Sequence, residues 1–80
     1  DVKHEWMRDK QAVWRQVVGY ALQVKPDRVT AEKFALAQFR NMYGEWPYKA
    51  MRDIEPMEPT LPVVNKIRSQ LIAWAHRRRA

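Results

Sequence analysis

Apolar residues recur at three- and four-residue intervals through most of this chain. Trp6, Val13, Val17, Tyr20, Ala21 and Val24 fall on one helical stripe, widened by Trp14 and Val18. This predicts a long amphipathic helix from Val2 to Val24. Glu5 and Asp9 near its start and Lys25 at its end suit the helix dipole. Pro26 stops it, because proline lacks the N–H that the ladder needs. A second helix is predicted from Ala31 to Tyr43, with Thr30 as N-cap and Ala31, Phe34, Ala35, Gln38 and Met42 on one face. Gly44 stands where a helix ends in a left-handed residue. Trp46, held extended by Pro47, is expected to pack back on the core, with a ligand-facing position as the alternative.

Tyr48 to Ile54 reads as a short third helix. Pro56, Pro59 and Pro62 then recur at intervals of three, which favours an extended, polyproline-like connector. The last helix is expected to begin near Leu61 or Pro62, since proline is tolerated in a first turn. Val64, Ile67, Leu71 and Trp74 form its buried stripe, with Val63, Ile72 and Ala75 nearby. The expected fold is all-α, a small bundle of three main helices plus one short helix, with residues 1–80 as a single helical domain.

Length limits that core. At 80 residues only about 60% of the unfolded surface is buried on folding, so the four tryptophans are a large share of the available packing. With no cysteine, disulfides and thiolate metal sites are excluded. No apolar run approaches the ~20 residues that span a bilayer, so no membrane partner is expected and the cytoplasm is the expected location. The chain opens at Asp1 with no methionine and is expected to be excised from a longer protein.

Charge changes the picture more. The formal net charge is +6, and its distribution is uneven. Residues 45–60 carry Glu45, Asp53, Glu55 and Glu58 against Lys49 and Arg52, whereas from Leu61 onward Lys66, Arg68, Arg77, Arg78 and Arg79 stand without an acid. A basic end on a basic domain points to an anionic partner. The arginine triplet has two readings: phosphate contacts, or completion of the helix dipole.

Catalytic patterns are absent. His4-Glu5 opens like a zinc-protease helix motif, but Arg8 stands where the second histidine belongs. His4 and His76 lie at opposite ends of the sequence, Ser69 has no neighbouring base, and Gly19 and Gly44 are isolated, so no phosphate-cradling loop is formed. No cofactor is expected in this domain.

The stretch VWRQVVGYALQVKPDRVTAEKFALAQFRNMYGEWP resembles the C-terminal region of bacterial and phage superfamily 2 DEAD/DEAH-type helicases of the RadD-like kind. The matching positions are Trp14, Val17, Val18, Ala21, Lys33, Phe34, Phe39, Arg40, Tyr43, Gly44, Trp46 and Pro47, within residues 10 to 50. The connector lacks the glycines expected of the family, Tyr43 stands where phenylalanine is common, and the basic last helix has no clear counterpart. The resemblance implies a non-catalytic accessory domain of an ATP-dependent DNA helicase, with ATP and magnesium bound by the absent motor.

Two functions follow as expectations. The first is nucleic-acid binding, with DNA as partner, through Lys66, Arg68, Arg77, Arg78 and Arg79, with Arg40 and Lys49 secondary, and with Trp46 and Tyr48 as candidate stacking residues. The alternative is a docking module for an acidic, hydrophobic peptide, such as the tail of a single-stranded DNA-binding protein, or for the helicase motor itself.

Overall fold

The computed structural model describes the backbone of residues 2–79 and the side chains of residues 5–77. A 3₁₀ turn (Val2–Met7) is followed by α1 (Lys10–Val24), α2 (Arg28–Tyr43), the single turn α3 (Lys49–Arg52) and α4 (Leu61–Arg79). The all-α architecture expected from periodicity is the one formed.

The first helix is not continuous. Asp9 turns out to be an N-cap, its carboxylate accepting from Ala12 N–H at 3.1 Å, and so it divides the expected helix into a 3₁₀ turn and α1. The turn is held by Tyr43, whose hydroxyl donates to the Met7 carbonyl at 2.8 Å. α2 likewise starts earlier than Thr30. Asp27 caps it by accepting from Thr30 N–H at 2.7 Å and from the Thr30 hydroxyl at 3.0 Å. Those bonds favour the charged carboxylate and hold its pKa below the ordinary value. At the other end Gly44 has φ 72° and donates to the Arg40 carbonyl at 2.7 Å, the left-handed stop its position predicted.

α1 and α2 are the main packing pair. Val13, Trp14, Val17 and Ala21 from α1 meet Ala31, Ala35 and Phe39 from α2, and Met51, Val63 and Ile67 close the core from the later elements. The three alanines at the interface are fully buried, consistent with close approach of the two helices. The Trp14 and Phe39 rings meet edge to face at 5.7 Å. Trp14 Nε1 is buried without a hydrogen-bond partner among the described residues. That orphan donor costs about 1–3 kcal/mol, less than the ~4–6 kcal/mol gained by burying an indole at about 25 cal/mol per Å².

Two expectations about tryptophan burial are corrected. Trp46 does not enter the core: it is 58% exposed, and the neighbouring Pro47 is buried in its place. Trp74 is 54% exposed, because α4 outruns the helices beneath it; Val63 and Ile67 are buried, Leu71 is partly covered, and residues 72–77 are exposed. Of the expected stripe Val64, Ile67, Leu71 and Trp74, only Ile67 is fully buried; Val64 and Leu71 are half-buried, and Val63 takes the second core position.

The connector is strapped across the back of α1. Met57 N–H donates to the Arg15 carbonyl at 3.1 Å, and Arg15 Nε donates to the Glu55 carbonyl at 2.8 Å. Gln16 accepts from Thr60 N–H at 2.8 Å, while the Thr60 carbonyl takes the first helical bond of α4, from Val64, at 3.1 Å. Gly19 lies under this crossing: a Cβ there would stand 2.1 Å from the Met57 carbonyl oxygen. No helix among the described residues is long and apolar enough to cross a membrane.

Candidate nucleic-acid interface

The carboxylates and the surplus cations occupy different parts of the molecule. Asp9 and Asp27 cap helices, Glu45 pairs with Lys10, and Glu32 pairs with Arg52 at 3.1 Å. The Glu45 hydrogen bond raises the Lys10 pKa. Asp53 and Glu55 line an open cleft of about 800 Å³ together with Glu32, facing Arg28, Lys49 and Arg52. That cleft is balanced in charge, so Lys49, expected to contact phosphate, sits where neighbouring carboxylates offset it.

Residues 33–43 of α2 and the whole of α4 contain no acid, and the two helices are in contact. Between them runs a groove. Its apolar half, about 480 Å³, is formed by Phe34, Ala37 and Gln38 of α2 with Gln70, Leu71 and Trp74 of α4. Lys25 closes that end, its Nζ 4.8 Å from the Phe34 ring centroid. The polar half, about 320 Å³, shares Asn41, Gln70 and Trp74 with the first and adds Lys66, Ser69, Ala73 and Arg77. Both volumes lie within the range of small-ligand pockets. The described lining therefore holds three cations, Lys25, Lys66 and Arg77, and no carboxylate.

Helical geometry explains which of the expected cations come together. At about 100° per residue, Lys66 and Arg77 lie within roughly 20° of the same line on α4, about 16 Å apart along its axis. Trp74 lies one turn before Arg77 on the same side. Arg68 is about 200° around the helix from Lys66; it is exposed and takes no part in the groove. The side chains of Arg78 and Arg79 lie outside the described residues, as does that of His4. Arg40 is exposed on α2 beside the groove-lining Ala37 and Asn41, and its guanidinium stands 5.2 Å from the Trp46 ring centroid. Tyr48 is exposed at the start of α3 and makes no side-chain capping bond.

The groove floor is polar at one point. Gln70 Nε2 donates to Gln38 Oε1 at 2.5 Å, whereas Gln70 Oε1 is buried and has no hydrogen-bond partner among the described residues. No group of three or more His, Cys, Asp or Glu residues able to hold a metal occurs among the described residues.

Of the cations expected from sequence to contact phosphate, Lys66 and Arg77 line the groove; Trp74, Asn41, Ser69, Gln70 and Lys25, which line it too, are not among the residues expected to bind. A usable signal was present: Lys66, Ser69, Gln70, Ala73, Trp74 and Arg77 follow the i, i+3, i+4, i+7, i+8, i+11 pattern of one helix face. No family model matches this chain, and neither a curated protein nor a solved structure matches it.

Proposed function

We propose that this domain is a non-catalytic module that binds nucleic acid, DNA in the first instance, through the acid-free face shared by α2 and α4. The observation that carries the reading is the segregation of charge: Lys25, Lys66 and Arg77 rim a groove whose lining has no carboxylate. Such a face attracts a polyanion and gains affinity by releasing its counterions. Arg40 extends positive charge on the α2 side, Arg68 adds charge on the opposite side of α4, away from the groove, and Lys49 contributes least. The role as accessory domain of a cytoplasmic, ATP-dependent helicase rests on the resemblance of residues 10 to 50 alone; ATP and magnesium would belong to that motor.

Fluorescence anisotropy of a labelled oligonucleotide, titrated at low and physiological salt, tests the reading. Affinity should fall with salt along a log–log slope of about −0.7 per phosphate contacted on a single strand. Binding that ignores salt, or no binding at low salt, would count against it. A second reading is favoured by the apolar half of the groove: Phe34, Ala37, Leu71 and Trp74 with a basic rim also suit an acidic, hydrophobic peptide. Capture of such a peptide without any affinity for oligonucleotides would select it.

A further inference from the structure

We infer that the ligand of this face is a single strand, and that Trp74 is the platform on which one of its unpaired bases stacks. The inference rests on the nucleic-acid reading and deepens it. Trp74 belongs to both halves of the groove, where the apolar floor meets the basic, polar end. On its polar side stand Lys66 and Arg77, separated by about 16 Å of helix, so a strand running along α4 meets a cation on each side of the ring. Asn41 and Ser69 offer amide and hydroxyl groups beside the same ring, chemistry that matches base edges more closely than an aliphatic peptide side chain. That polar lining is what favours nucleic acid over peptide at this position.

The arrangement discriminates between strand forms. A base within a duplex has both faces covered by its neighbours and cannot reach an indole set in a groove. An unpaired base can be splayed out and stacked, and stacking tolerates any sequence because every base has a π-face. Trp46 and Tyr48, the aromatics first expected to stack, are exposed but stand outside this groove lining.

The test uses the whole 80-residue chain with three probes of similar charge: an oligothymidine, an abasic strand of the same length, and a duplex. Wild type should prefer oligothymidine over the abasic strand by about tenfold or more, the usual scale of one base–aromatic stack. Trp74→Ala should bind both single strands alike, at the abasic level. Trp74→Phe should restore most of the preference while abolishing the tryptophan quenching that accompanies binding. Circular dichroism confirms that each variant is folded. Equal affinity of wild type for thymidine and abasic strands, or an unchanged preference in Trp74→Ala, would overturn the stacking role while leaving the polyanion reading standing. No binding of any strand at low salt would overturn both. Displacement of a Trp74-dependent acidic peptide, with no base preference, would reassign the groove to protein docking.

Discussion

The two sides of the helical bundle are built by opposite rules. Behind α1, the connector is fastened by the Met57 N–H on the Arg15 carbonyl, by the Arg15 side chain on the Glu55 carbonyl, by the Gln16–Thr60 bond, and by a glycine that admits direct backbone contact. Between α2 and α4 the packing is open: Val63 and Ile67 anchor α4 at its first half, and the remainder extends past the core beside a groove. Glu32, Asp53 and Glu55 line the cleft beside the connector, whereas the described lining of the groove holds Lys25, Lys66 and Arg77 and no carboxylate. The contrast separates what holds the fold from what is available to a partner, and it can be broken from either side.

The largest effect is expected at the strap. Gly19→Ala sets a Cβ into the Met57 carbonyl, and overpacking of this kind costs about 3 kcal/mol, more than the ~1 kcal/mol that alanine gains in helix propensity. Urea unfolding should show a clear loss of stability; a neutral or stabilised variant would mean the connector does not lie where it is described. Next comes the open side. Lys66→Glu with Arg77→Glu should weaken oligonucleotide binding by roughly tenfold at low salt and flatten its salt dependence. Arg68→Glu, on the far side of α4, should do distinctly less. Equal losses would dissolve the distinction between the two faces of that helix.

A smaller effect belongs to Tyr43. Tyr43→Phe removes the bond to Met7 and should cost about 1 kcal/mol. Burial, with a lesser contribution from Asp9, pushes the Tyr43 phenol up to about 12 from 10.0. The fold therefore prefers the neutral phenol: its contribution is complete below pH 10.0 and is lost as pH rises toward about 12. Alkaline unfolding curves of wild type and Tyr43→Phe should converge across that window, and parallel curves would count against the burial. The smallest effect is expected at Trp46, where Trp46→Ala should stay within about 0.5 kcal/mol of wild type, as exposed sites usually do. A loss of several kcal/mol would return Trp46 to the core.

Sequence made the locally determined features legible. Gly44 was readable as a helix stop because a left-handed conformation is a property of the residue itself. The periods of α1, α2 and α4 were readable because an apolar stripe needs only a partner, not a particular one. What failed depended on three-dimensional neighbours. Asp9 and Asp27 each carry a side chain able to cap, yet each sits inside or beside a longer helical pattern, so the break between the 3₁₀ turn and α1 went unread. Trp46 is expected in the core for its size and Trp74 for its spacing on the α4 stripe, yet both are exposed. Their exposure follows from Pro47 taking the corner position and from the length of α4 relative to its support, and neither is written in local pattern. The groove was half legible: Lys66 and Arg77 were expected contacts, but the lining from Lys25, Phe34 and Asn41 appears only once α2 and α4 are laid together.

The strap over Gly19 also bears on the order in which the molecule assembles. Arg15 and Met57 are far apart in sequence, so the connector can be tied down only after a long loop has closed, at an entropic cost that local helix pairing does not carry. α1 and α2 are joined by a short turn and share most of the core, which makes their hairpin the natural nucleus. On this ground α4 is expected to dock last, through Val63, Ile67 and the Gln16–Thr60 bond. Destabilising changes under the strap should accordingly appear as faster unfolding with little change in folding rate, the kinetic mark of contacts made after the barrier has been crossed.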